Sequence, residues 1–256
     1  MSVITEQQWG ELLVHRAGDG ARPVVLVHGW SCRAEDWQGL LASPPAGVTL
    51  YAVALPGHGR ARDQQAPAWT IAGLGQALLA GLDAAGLSSP VLVGHSMGGA
   101  VVMEAARQRA DVAAVILVDT FVIPYGDLSE AQAADIEAPF REDFAAAMAN
   151  LVTNSVGSQL DEAGRETLIR QMSEGNQAVL LPLWHDLLRW NPEPAFADIR
   201  CPIHAINGDL IPEPAKARCQ GRLQEWLIPG AGHFPQLEMP EEFGRVFGEV
   251  IKQSNQ

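Results

Sequence analysis

The chain has 256 residues, 47% hydrophobic and 18% charged, with 17 Lys+Arg against 30 Asp+Glu for a formal net charge of −13. That composition excludes a disordered acidic chain, which is poorer in apolar residues. A field of that sign repels phosphate, so neither nucleic acid nor an anionic membrane surface is an expected partner.

The length suits one domain, or one domain with an insertion. Cys32, Cys201 and Cys219 are too few and too widely spaced for a disulfide framework or a zinc site, and reduced thiols in a cytoplasmic protein are expected. The first ten residues hold no basic segment leading into an apolar run, so no signal peptide is expected. No apolar stretch approaches the ~20 residues that span a bilayer.

In chain order, a first strand pair involves Glu11 to His15. Val24 to His28, Leu50 to Leu55, Pro90 to Gly94 and Ala113 to Asp119 are near-continuous hydrophobic runs, the pattern of parallel strands covered on both faces. Helical stretches lie between them. Ile71 to Ala85 carries Leu74, Leu78 and Leu82 at four-residue spacing, and Met97 to Arg109 is rich in Ala, Val and Met. This alternation predicts an α/β fold with a mostly parallel, doubly wound sheet and helices on both faces. The rhythm breaks after Asp119. Residues 120–200 show helical patterns around Ala131–Ala138, Phe144–Asn150, Ala163–Ser173 and Ala178–Arg189, with breakers at Pro124, Pro139, Gly157 and Pro192. Strands resume at Ile203–Asn207 and Glu225–Ile228, and a last helix runs from about Pro240 to Ile251. The expected organisation is a core of 1–119 and 201–256 with a helical insertion over 120–200.

Three motifs carry chemistry. Gly94-His95-Ser96-Met97-Gly98 is G-x-S-x-G, directly after an apolar strand and before a helical run. A nucleophilic serine needs that setting, because a strained strand-to-helix turn lifts its hydroxyl clear. The helix behind it offers unpaired N–H groups and a positive dipole end. Acyl transfer also needs two donors aimed at the developing oxyanion. The N–H of Met97 supplies one, and that of Trp30, in His28-Gly29-Trp30 after an earlier strand, is the candidate for the other. The third motif is Gly230-Ala231-Gly232-His233-Phe234. Among the seven histidines, His233 alone is both late in the chain and on a loop at the sheet edge where a general base is needed.

These residues resemble those of the α/β-hydrolase fold. The likeness runs over nearly the whole chain: His28-Gly29, Pro56-Gly57-His58-Gly59, the Ser96 turn, and Gly232-His233 followed by Glu238 and Pro240. It implies Ser96 as nucleophile, His233 as base and residues 120–200 as a helical cap. It also implies an acid between serine and histidine in the chain. The family commonly places that acid in the loop that here reads Asn207-Gly208-Asp209, but Asp209 comes early in a short loop. Some members place it where Asp119 ends an apolar strand, and a carboxylate there costs energy unless paired. Asp119 is the expected acid and Asp209 the second choice, its role otherwise that of a turn residue.

The expected activity is hydrolysis of a carboxylic ester, or a related acyl compound of small to medium apolar character, through an acyl-enzyme on Ser96. No metal or organic cofactor is required. Two other readings stay open. The His-Gly-Trp-Ser-Cys stretch, the Gly-His-Gly turn and Asp119 also resemble cofactor-independent dioxygenases that open 3-hydroxy-4-oxoquinoline rings with a His–Asp base pair. A non-catalytic ligand receptor on the same fold is the other. Cys32 reads as a buried inert thiol, Trp69, Trp184 and Trp190 as core or pocket residues, and Glu238, Glu241 and Glu242 as ordinary acids around a helix start. The sequence sets no oligomeric state.

Overall fold

A computed structural model describes residues 2–254 of the chain; residues 1, 255 and 256, the ends of the two segments expected to form the core, lie outside the described residues. Eight strands form one sheet: β1 (Thr5–Trp9), β2 (Leu12–Gly18), β3 (Arg22–Val27), β4 (Val48–Ala54), β5 (Val91–His95), β6 (Ala114–Val118), β7 (Ile203–Asn207) and β8 (Gln224–Leu227). Their order across the sheet is β1-β2-β4-β3-β5-β6-β7-β8. Strand β2 pairs antiparallel with β1 on one side and with β4 on the other, and every pairing from β4 to β8 is parallel.

Around the sheet lie α1 (Gln38–Ala42), α2 (Ile71–Ala84) and α3 (Met97–Ala106). Between β6 and β7 come α4 (Glu130–Glu142), α5 (Phe144–Ser155), α6 (Glu162–Ser173), α7 (Gln177–Arg189) and α8 (Glu193–Asp198). The chain closes with α9 (Glu213–Cys219), α10 (Pro235–Glu238) and α11 (Pro240–Gln253). The hydrophobic runs are explained by burial on both faces. Val25, Val27, Leu92, Val115 and Leu117 point into the layer that holds α2 and α3. Val24, Leu26, Val93, Ile116 and Val118 point to the other layer, against Trp37, Phe243 and Phe247.

The register aligns the strand ends. Val27 lies opposite Gly94, His95 opposite Val118, and Val118 opposite Ile206. The residues that follow, His28, Ser96, Asp119 and Asn207, therefore leave the sheet side by side at its carboxyl edge, where open α/β sheets place their ligands.

The strand pair expected around Glu11 to His15 is present as β2 with β1, the latter too polar and exposed to be marked by hydrophobicity. One detail differs from the sequence reading. Pro139 does not break α4. Pro in a helix interior costs about 3 kcal/mol, but buried Glu137 and Phe140 anchor the turn on either side, and the helix runs on to Glu142. The break falls at Asp143, whose carboxylate accepts the Ala146 N–H at 3.1 Å and starts α5. Among the described residues no helix is long and apolar enough to cross a membrane, and the three cysteines are free.

Candidate active site

Ser96 stands between β5 and α3 with φ 52° and ψ −122°, a conformation that costs a non-glycine residue of order 1–3 kcal/mol. The surrounding chain holds it there. The Ser96 N–H donates to the Val118 carbonyl at 2.9 Å, and its carbonyl accepts the Gly99 N–H at 2.8 Å. Gly98 is required by close approach, since a Cβ there would stand 2.5 Å from the His28 carbonyl oxygen.

The serine hydroxyl donates to His233 Nε2 at 3.0 Å, and His233 Nδ1–H donates to Asp119 Oδ2 at 2.7 Å. Asp119 has no exposed surface. Its second oxygen, Oδ1, accepts the Gly208 N–H at 2.9 Å, so both oxygens of the buried carboxylate are satisfied. The backbone of Asp119 is left-handed, with φ 48° and ψ 37°. Asp209 is exposed and accepts the Gly230 N–H at 2.8 Å, bracing the start of the loop that carries His233. The Asn207-Gly208-Asp209 loop thus reaches the histidine indirectly, through the Gly208 amide on Asp119.

Met97 opens α3, so its N–H is among the first-turn amides a helix leaves unpaired. The chain at Gly29 runs beside Ser96, where a Cβ on Gly29 would lie 3.2 Å from Ser96 Cβ. Trp30 is buried and fixed to the helices after β6: its Nε1–H donates to the Leu180 carbonyl at 2.8 Å, and its ring stacks on Trp184 at 4.4 Å. Next to it, Ser31 Oγ donates to the Met172 carbonyl at 2.6 Å.

Above the serine is a cavity of about 290 Å³. Ser96 and His233 line it together with Trp184, Leu151, Met172, Ile123 and Tyr125. The residues 120–200 thus supply most of the apolar lining. Trp184 borders this cavity. Trp190 instead packs on Tyr125 and donates to Glu104 Oε1 at 2.9 Å, and Trp69 sits against Gly57. Cys32 lies at the cavity edge, its thiol pushed up by burial and then by Asp36, which suits an inert group.

Three further histidines are buried near the site and kept neutral. Burial, reinforced by His58, holds His28 down to about 3, and burial holds His58 down to about 4. Burial and then His233 lower His95 well below the usual imidazole value. Unfolded imidazoles take up protons near pH 6.5, so the stability from these neutral groups is full above that pH and is lost as pH falls toward 4. The slope is about 1.4 kcal/mol per pH unit for each histidine. Asp36 works in the opposite sense, since burial holds its carboxyl up to about 6. Its contribution is present at low pH and lost as pH rises to that value. Three histidines outweigh one carboxyl, so the urea midpoint is expected to drop steeply from pH 6.5 to 4. A flat or rising midpoint on acidification would contradict this account.

Glu238, expected as an ordinary acid around a helix start, is more than that. It is buried and accepts three backbone N–H groups around His233. Its position five residues after the histidine, at the end of a short helical turn, was the signal available.

The described geometry can be set beside known proteins. The family model described as the alpha/beta hydrolase family matches residues 24–246. The pimeloyl-acyl-carrier-protein methyl ester esterase of Aromatoleum aromaticum is 30% identical over 260 residues, covering 90% of this chain and 98% of that protein. The 2-succinyl-6-hydroxy-2,4-cyclohexadiene-1-carboxylate synthase of Klebsiella pneumoniae is 30% identical over 192 residues, covering 71% of this chain and 72% of that protein. Among solved structures, a bromoperoxidase from Bacillus anthracis superposes with a TM-score of 0.82 at 18% identity, over 98% of this chain and all of that one. Names this different on one scaffold mean that activity has to be argued from the site.

Proposed function

The chain belongs to the alpha/beta hydrolase family, and from that premise we propose that it is a serine esterase acting through an acyl-enzyme on Ser96. The observation that carries the reading is the continuous relay from Ser96 Oγ through His233 to Asp119. The esterase relative, aligned over nine-tenths of this chain, supports the reaction class.

In this mechanism Ser96 Oγ attacks the ester carbonyl carbon as its proton passes to His233 Nε2. The Met97 and Trp30 amides hold the oxyanion of the tetrahedral intermediate. Asp119 keeps the Nδ1–H tautomer in place and balances the imidazolium that forms. The alcohol departs with the proton from Nε2 and leaves the acyl group on Ser96. Water then gives its proton to His233 and attacks the acyl carbon, and the carboxylic acid leaves as Ser96 is reprotonated. Every proton in the cycle is carried by His233.

The cavity suits an acyl or alcohol group of small to medium size and apolar character, and residues 120–200 act as the cap that sets that size. Trp184→Ala enlarges the cavity that Ser96 and Trp184 both line. It is expected to shift the preference between long and short acyl esters by about tenfold or more, the effect of one or a few methylenes in an apolar pocket, while short-ester turnover persists. An unchanged chain-length profile in this and other cap-wall variants would sink the cap assignment. The esterase reading itself is tested by turnover of an acyl-ester series of graded length, run beside oxygen uptake with a hydroxyquinolone. Oxygen uptake without ester turnover would hand the site to the His–Asp dioxygenase reading.

A further inference from the structure

The loop bearing His233 is held at several points, and two of them reach into the segment after β6. The His233 N–H donates to the carbonyl of Ser155, the last residue of α5, at 2.7 Å. The His233 carbonyl accepts from His95 Nε2–H, also at 2.7 Å. Glu238, only 5% exposed, gathers the rest. Its Oε2 accepts the Gly157 N–H at 2.7 Å and the Gly232 N–H at 2.8 Å, and its Oε1 accepts the Phe234 N–H at 2.9 Å. Gly232 and Phe234 flank the histidine, and Gly157 follows α5. One carboxylate therefore joins the two neighbours of His233 to the end of a cap helix.

The seam is backbone against backbone. A Cβ on Gly157 would stand 2.6 Å from Glu238 Oε2, and a Cβ on Gly232 would overlap the Gly157 nitrogen and the Ser155 carbonyl. The chemistry of the central residue is equally restricted. An ionised carboxylate only accepts, and its two oxygens have room for three N–H donors. A glutamine would turn an NH₂ toward one of those N–H groups. Charge-assisted bonds of this kind are also about twice as strong as neutral ones.

We propose that Glu238 is a positioning residue that ties the His233 loop to the end of α5, so that the histidine meets Ser96 only while the cap is seated. The kinetic part of this inference rests on the esterase reading above, and a substrate-free measurement keeps the two apart.

Glu238→Gln preserves shape and removes one acceptor. It is expected to lower kcat on a short activated ester by about 10²-fold, the scale of a displacement near 1 Å at the reacting centre, with KM within a few-fold of the parent because the apolar side chains of Ile123, Leu151, Met172 and Trp184 that line the cavity are not replaced. Gly157→Ala opens the same seam from the cap side and should give the same split. The double variant should be no worse than the poorer single one, since both break one unit. Glu241→Gln, on the exposed start of α11, should change nothing. The second readout is the low-field NMR signal of the His233 Nδ1–H proton bonded to Asp119, recorded without substrate, which should broaden or move in both seam variants. A folded Glu238→Gln protein with parental kcat and an unmoved proton would overturn the proposal. So would a loss confined to Tm with turnover per folded molecule kept. If Glu238→Gln does not fold, Gly157→Ala decides by the same two readouts. A parent protein without ester turnover, whose His233 proton still responds to Glu238→Gln, would leave the tie standing and remove the esterase reading.

Discussion

Ser96→Ala is expected to cut ester turnover by roughly 10³-fold or more while the fold remains intact. Alanine fits the space, and it inherits the same left-handed backbone at φ 52° that Ser96 already tolerates, so no new strain is introduced. What is lost is the oxygen that, in the proposed mechanism, bonds the acyl carbon, together with the hydroxyl that donates to His233 Nε2 at 3.0 Å. The Met97 and Trp30 amides and the cavity remain, and they leave a residual rate above that of water. Steady-state turnover on an activated ester, with circular dichroism to establish folding, checks this. Turnover within a few-fold of the parent would remove the nucleophile.

Asp119→Asn is expected to be the more damaging exchange, at about 10⁴-fold in rate, and the structure gives the reason. Asp119 Oδ1 accepts the Gly208 N–H, which fixes which way an asparagine would lie. Its oxygen would stay on Gly208 and its NH₂ would face His233 Nδ1. Nδ1 would then have to accept, placing the ring proton on Nε2, where it blocks transfer from Ser96. Asp209→Asn changes an exposed carboxylate whose partner is the Gly230 amide, so a loss of about 1 kcal/mol in stability is expected with turnover per folded molecule kept. Both variants assayed on one ester, corrected for folded fraction, give the ranking. The reverse order would transfer the acid to Asp209.

The strands that carry the site were legible because parallel strands buried on two faces are written as unbroken apolar runs. Val91 to Val93 and Val115 to Val118 are examples, each with no exposed surface. The positions of Ser96 and His233 were legible because the chemistry proposed for them demands glycine-rich turns at fixed ends of those strands. The choice of acid was open in sequence because an aspartate ending a strand and one in the next loop look alike. The sheet register sets Val118 beside Ile206, and the loop after β7 then presents the Gly208 amide to Asp119. Strand β1 was faint for the opposite reason: an exposed edge strand carries no hydrophobic signature. Glu238 reads in sequence as an ordinary acid around a helix start because its three partners are backbone amides from two segments, Gly157 lying 81 residues away, and backbone donors leave no mark on composition. Trp190, assigned as readily to the cavity as Trp184, is drawn aside by Glu104, a helix residue whose burial no local pattern betrays.

The most direct test of the account is to trap the intermediate. The protein is mixed with a slowly deacylating activated ester, quenched in acid, digested, and analysed by mass spectrometry. The account predicts the acyl mass on the peptide containing Ser96, formed in step with a burst of released alcohol, and absent from the same peptide in Ser96→Ala. Continued ester turnover with no acyl mass on that peptide, or the mass on a different residue, would contradict it.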